Sequence, residues 1–321
     1  MVTLVLAKTT KSLQAMLNEI VPRLGSVGSS VSNSAYSRAR AKLRHSAFIE
    51  LNAMCVLPAV YDDGDCDTYK GMRVLAIDGS KIMLPHNAST NSYFGVFDST
   101  SPVVSNTYCM GLASVLYDVL NGVCIDAVLA NGHKAEADLA IESLKLTNND
   151  DLVIYDRGYC SFRMLDAATK AKGNFVVRCH RRSFGETRDM FAGEGEDDVI
   201  VTINPGYKHL HQGLDEPITV RFVRVVLDTG EIEVLATSLL DRDKHPSKNF
   251  KDLYWKRWGV ETFYSVLKSR LDIENFTGLS AESVLQDFHA SVFLTGLEAV
   301  FTRDTNLELQ ARGGCCKRLA I

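Results

Sequence analysis

Near residue 73 the hydrophobic period of the chain changes, and this change narrows the possible folds more than any other feature. Upstream, Leu13, Met16, Leu17, Ile20, Val21 and Leu24 recur at helical spacing and stop at Gly25. Downstream, the apolar runs are short and closed by turn residues, which is a strand pattern. Arg73 to Ile77 ends in Asp78-Gly79-Ser80, and Met110 to Leu120 and Val123 to Leu129 flank Asn121-Gly122, the strongest short hairpin signal. Lys134 to Leu146 returns to helical spacing. Leu152 to Tyr155 is another short strand, closed by Asp156-Arg157-Gly158, Ser161 to Lys170 suits a helix, and Asn174 to Cys179 suits a strand.

Three strands, helix, strand, helix, strand is the layout of a ribonuclease-H-like α/β core, a mixed sheet flanked by helices. Residues 70–180 form its first part. Asp198 to Ile203, Ile218 to Leu227 and Glu231 to Thr237, rich in Val, Ile and Thr around an Asp228-Thr229-Gly230 turn, make 181–245 a β-rich insertion. The core resumes over 246–303, with one long helix from near Asn249 to about Leu271 and an amphipathic helix from Ala281 to Thr302; 304–321 is a tail. Residues 1–60 form a helical N-terminal region, in which Ser34 caps a helix from Ala35 to Ile49, followed by an acidic linker at Asp62 to Asp67.

Two aspartates, Asp78 and Asp156, each sit directly after an apolar run, so each projects from the end of a strand, where open sheets place ligands. Taken singly, either is equally well explained as a turn residue. On the long helix, at about 100° per residue, Tyr254, Arg257, Glu261, Tyr264 and Lys268 fall within an arc of roughly 80° beside an apolar stripe of Leu253, Val260, Phe263, Leu267 and Leu271. A solvated face with an Arg257–Glu261 pair is the plain alternative.

Tyr254-x2-Arg257-x3-Glu261-x6-Lys268 resembles the YREK signature of the insertion-sequence-4 family of DDE transposases. Ala76-Ile77-Asp78-Gly79-Ser80 and Tyr155-Asp156-Arg157-Gly158-Tyr159 are similar to that family's two aspartate motifs, and Leu235 to Asp241 and Asn275 to Gly278 also resemble family stretches. The resemblance implies a triad of Asp78, Asp156 and Glu261 holding Mg2+, with Mn2+ as a substitute, for cutting and rejoining DNA at terminal inverted repeats. It also implies that Tyr254, Arg257 and Lys268 contact transposon-end DNA, that a homodimer synapses two ends and inserts them into target DNA, and that a hairpin intermediate forms. Three carboxylates suit hard divalent ions better than zinc. In well-known relatives a tryptophan of the insertion stacks on an extruded base; here the two tryptophans, Trp255 and Trp258, lie on the long helix, leaving Phe184, Phe191 or Tyr207 for that role.

Two rival readings are a Mg2+-dependent phosphohydrolase using Asp78 as nucleophile and an inactive or domesticated DNA-binding descendant. The first expects a second Asp two residues away, where Ala76 and Ser80 stand. His209 and His211 lack further ligands for a metal, and Cys179-His180 are neighbours on one strand and so point apart. The eight cysteines form no CxxC pair and read as reduced thiols, with Cys315-Cys316 in the tail. Met1 to Ala7 is too short for a signal peptide and Glu298 interrupts the apolar stretch near Val292 to Phe301, so a cytoplasmic, nucleoid-associated protein without a membrane partner is expected.

The formal charge of −4 argues against nucleic acid when averaged over 321 residues. By segment it does not: residues 1–50 carry seven Lys and Arg against two acids, as do residues 244–270, a net +5 each. Arg38, Arg40, Lys42 and Arg44 in the first block are the expected N-terminal DNA contacts.

Overall fold

The computed structural model describes residues 1–7, 12–25, 30–99 and 106–311. Among these, nine strands share one sheet: β1 (Arg73–Leu84), β2 (Val96–Asp98), β3 (Thr107–Asp118), β4 (Val123–Asn131), β5 (Asp151–Tyr155), β6 (Asn174–Arg178), β7 (Asp198–Ile203), β8 (Ile218–Val226) and β9 (Ile232–Thr237). The order is β2-β3-β1-β5-β6-β9-β8-β7, with β4 also paired to β3. Within it, β4-β3-β1-β5-β6 has antiparallel pairs up to β1 and parallel pairs beyond, the ribonuclease-H-like arrangement. Each later strand arrives through a helix, Glu136–Ser143 before β5 and Phe162–Lys170 before β6, as parallel neighbours require.

Three local expectations are corrected. Asp78-Gly79-Ser80 is not a turn, because β1 runs through it to Leu84, paired with β3. The Asn121-Gly122 connection is longer than a two-residue hairpin, because buried Asp118 caps the backbone N–H groups of Leu120 and Asn121 at 2.9 and 3.0 Å and ends β3 early. The N-terminal helix starts at Asn33, capped by Ser32 rather than Ser34, and ends at Arg40, with a new helix over Ser46–Leu51. The cause of this early stop is distant in sequence: the Gln286 amide donates to the carbonyls of Arg40 and Leu43 and draws the chain out of the helix.

The strands of 181–245 do not form a separate layer, since β9 pairs antiparallel with β6 and carries β8 and β7 onward in the same sheet. Fully buried Arg221 on β8 ties them to the core: its guanidinium is bidentate to Asp198, donates to the carbonyls of Leu239 and His245, and lies over Phe250 at the start of the long helix.

That helix is not continuous as expected. It runs over Phe250–Trp255, tightens at 256–257, resumes over Trp258–Ser265, and widens into a π turn at Val266–Arg270. The tightening coincides with a close approach: a Cβ on Gly259 would stand 3.0 Å from the Val119 side chain of the β3–β4 connection. The final helix, Ala281–Ala311, is not amphipathic in its first half. Every residue from Val284 to Phe293 is buried, because Val284, Leu285, Phe288 and Val292 pack on the sheet and long helix while Ala290 and Phe293 pack on Phe48, Val56 and Val60 of the N-terminal region. Among the described residues no helix is long and apolar enough to cross a membrane.

Candidate active site

The register of two strands brings the aspartates together. Ile77 of β1 pairs with Tyr155 of β5 as the last step of their parallel ladder, so Asp78 and Asp156 follow side by side, about 4.8 Å apart along the sheet by strand spacing. Ile77 and Tyr155 belong to one core face, so the period of two turns both aspartates to the other, towards the long helix.

Asp156 is well supported. Arg178, the last residue of β6, donates from Nη2 to its Oδ1 at 2.8 Å and from Nη1 to Glu233 at 2.8 Å, and the Tyr254 hydroxyl lies 3.3 Å from the same Oδ1. Burial alone would raise its pKa, but the Arg157 backbone N–H and the charges of Arg178 and Arg257 outweigh burial and hold the carboxyl below its ordinary range. Asp78 has the opposite balance. Burial pushes it up to about 6, with Glu136 and Asp156 adding repulsion, against the Gly79 N–H at 2.9 Å and the field of Arg257.

Glu261 stands on the helix above, its Oε1 taken by Arg257 Nη2 at 2.6 Å. Arg257 is 4% exposed, lies over the rings of Tyr254 and Trp258, and acts on both aspartates, so one enclosed guanidinium is counter-ion to the whole acidic group. The rest of the ridge meets β1: the Tyr264 hydroxyl sits 3.0 and 3.2 Å from the carbonyl oxygens of Asp78 and Ala113, and Lys268 Nζ donates to Ser80 Oγ at 2.7 Å and the Lys81 carbonyl at 3.1 Å. Asp78, Asp156, Tyr254, Arg257, Glu261 and Lys268 thus share one end of the sheet.

The N-terminal cations divide. Arg38, Lys42 and Arg44 are exposed. The expectation for Arg40 is corrected, because at 4% exposure its guanidinium is enclosed and spends four of its five N–H donors on Gln286, Thr277, the Ser283 carbonyl and Asp287, which turns it away from a phosphate in solvent. His209 lies on a short helix, not a strand, stacked on Phe162, and His211 meets Tyr207 edge-on. Cys179 Sγ is 3.4 Å from Cys160 Sγ, a thiol–thiol contact, and Cys315-Cys316 lie outside the described residues.

Sequence reasoning passed over Arg178, Glu136 and Tyr159. Arg178 carries the same signal as the aspartates, a charge closing an apolar run, whereas Glu136 opens a helix, where an acid ordinarily serves the helix dipole.

Three carboxylates form a hard-oxygen donor set that fits Mg2+ or Mn2+. Among the described residues no three His, Cys, Asp or Glu side chains converge to hold an ion as they stand, and Glu261 is engaged by Arg257.

The two aspartates have opposite stability consequences. The folded chain holds the Asp78 proton more tightly than the unfolded one, so this residue's contribution to stability falls as pH rises from about 4 to about 6. At pH 7.5 Asp78→Asn stabilises the protein by roughly 2 kcal/mol. Asp156, held charged, stabilises the fold above its unfolded pKa, so Asp156→Asn destabilises it. Urea unfolding of both variants at pH 7.5 reads the signs, and equal signs would contradict this electrostatic assignment.

A pair of aspartates brought side by side by adjacent parallel strands and facing a helix-borne glutamate on a ribonuclease-H-like sheet defines the class of DDE enzymes. Residues 69–295 match the protein family described as Transposase DDE domain, and the chain belongs to that family. It is 25% identical over 215 residues to the transposase InsG for insertion sequence element IS4 of Escherichia coli (strain K12), an alignment covering 64% of this chain and 46% of that protein, so the chain spans about half the length of this relative. Among solved structures, a piggyBac transposase synaptic complex with hairpin DNA aligns over 99% of this chain and 66% of its own at 12% identity, with a TM-score of 0.48. A Mos1 transposase paired-end complex aligns over 65% and 66% at 15% identity, with a TM-score of 0.23.

Proposed function

We propose that this chain is the transposase of an insertion sequence, cutting DNA at the element's terminal inverted repeats and joining the freed ends to target DNA. The observation that carries this reading is the Ile77–Tyr155 register, which seats Asp78 beside Asp156 beneath Glu261. These three would hold Mg2+, or Mn2+ in its place, which when bound activates an oxygen nucleophile and stabilises charge on the phosphate and leaving oxygen.

The protein's own groups prepare that site. Arg178 and Tyr254 orient Asp156, Arg178 and Arg257 keep it ionised, the Tyr264 hydroxyl fixes the Asp78 backbone, and Lys268 pins β1 to the helix at Ser80. Arg257 neutralises the acidic group; were Glu261 to turn to a bound cation, the forked donors of Arg257 would be free for a transposon-end phosphate. For a hairpin step, the aromatic of 181–245 available to an extruded base is Tyr207, 77% exposed, whereas Phe184 packs on buried Phe222. Engagement of two ends implies a homodimer.

The test is incubation of purified protein with labelled DNA bearing the repeats that flank its own gene. Mg2+-dependent nicking at the repeat boundary, absent on scrambled ends, is expected, and binding without cutting would favour a domesticated descendant. Exposed Arg38, Lys42 and Arg44 serve end binding, so replacing all three with alanine should flatten the dependence of log K on log salt by up to about three units, read by fluorescence anisotropy. An unchanged slope would remove the N-terminal region from the DNA interface.

A further inference from the structure

Resting on the cation site just described, we propose that Glu136 is a fourth carboxylate of that site, reaching it over Gly79 from the face of the sheet opposite the long helix. Glu136 is the first residue of the helix Glu136–Ser143 that follows β4. Its side chain crosses β1 where β1 has no side chain: a Cβ on Gly79 would stand 2.8 Å from both Cγ and Cδ of Glu136 and 3.2 Å from Oε1. The carboxylate therefore lies against the residue next to Asp78, and glycine at position 79 is what admits it.

A second observation comes from Tyr159. It is 3% exposed, its hydroxyl has no hydrogen-bond partner among the described residues, and after burial the influences that raise its pKa are the charges of Asp78, Glu136, Asp156 and Tyr155. One unpartnered buried hydroxyl thus senses three carboxylates at once, and Glu136 is among them ahead of Asp156. Among the described residues Glu136 has no hydrogen bond or ion pair that would give it a structural reason to be there. Glu136 adds a repulsive charge beside Asp78 and brings no cation of its own, so its place there is unfavourable until a cation arrives. Glu261, by contrast, is turned to Arg257. A cation at this site would be held by Asp78, Asp156 and Glu136 once their side chains close on it, with Glu261 available as a further ligand when released by Arg257.

Mn2+ binding to the full chain, followed by electron paramagnetic resonance without DNA, tests this separately from cleavage. Asp78→Asn should abolish measurable binding, Glu136→Gln should weaken it about tenfold or more, and Glu142→Gln, an exposed acid on the same helix, should leave it unchanged. Gly79→Ala offers a second route: its methyl group displaces the flexible Glu136 side chain at little cost to the fold, so it should weaken binding similarly and add little to Glu136→Gln. Wild-type affinity in Glu136→Gln, with binding lost in Asp78→Asn, overturns the role of Glu136 and leaves the site standing. No Mn2+ binding by the wild type overturns both.

Discussion

Asparagine at Asp78 or Asp156, or glutamine at Glu261, will slow cleavage of terminal-repeat DNA by roughly 10³-fold or more while leaving end binding within a few fold. Each replacement keeps the shape of the side chain and removes only its charge, so the loss reports on chemistry rather than packing. Stability separates the three further. Asp78→Asn relieves a buried charge, and Asp156→Asn removes one of the two carboxylates paired with Arg178, yet both should be equally inactive. Loss of activity that followed stability would mean that these acids merely hold the sheet end together. Single-turnover gel assays with parallel anisotropy measurements distinguish the outcomes.

Arg40→Ala will destabilise the fold by about 3–5 kcal/mol. The guanidinium is paired with Asp287 at 2.8 Å, with side chains 5% and 1% exposed, and it also bonds Gln286, Thr277 and the Ser283 carbonyl. Removing it leaves a carboxylate buried without a cation, between the N-terminal region and the last helix. Lysine keeps the charge but not the fork, so Arg40→Lys should recover only part of the loss. Chemical denaturation measures both variants. A stability within 1 kcal/mol of the wild type, with weakened DNA binding instead, would restore Arg40 to the DNA interface.

Arg40 also marks what the sequence could not reveal. In a cluster with Arg38, Lys42 and Arg44 it looks like its neighbours, and its burial is decided by Gln286 and Asp287, some 246 residues away. The strand order was legible because each strand of the core is a short apolar run with its own stop. Where β1 ends was not, because pairing with β3 carries it through an Asp-Gly-Ser that locally reads as a turn. The aspartates stood out as charges closing apolar runs and the helix ridge by its spacing, whereas the partners that set their charge states did not. Arg178 meets Asp156 only through the β5–β6 pairing, and Glu136 meets Asp78 only because Gly79 leaves room. The tightening of the long helix at 256–257 likewise coincides with a tertiary contact, Val119 against Gly259.

Exchanging the donor atom at Asp78 tests most directly whether this side chain holds a divalent ion. A thiolate is a poor ligand for hard Mg2+ and a better one for Mn2+. Asp78→Cys should therefore leave terminal-repeat DNA uncut in Mg2+ and regain cleavage in Mn2+, with the wild type active in both. Cleavage by Asp78→Cys at the wild-type rate in Mg2+, or equal loss in both ions, would contradict the assignment.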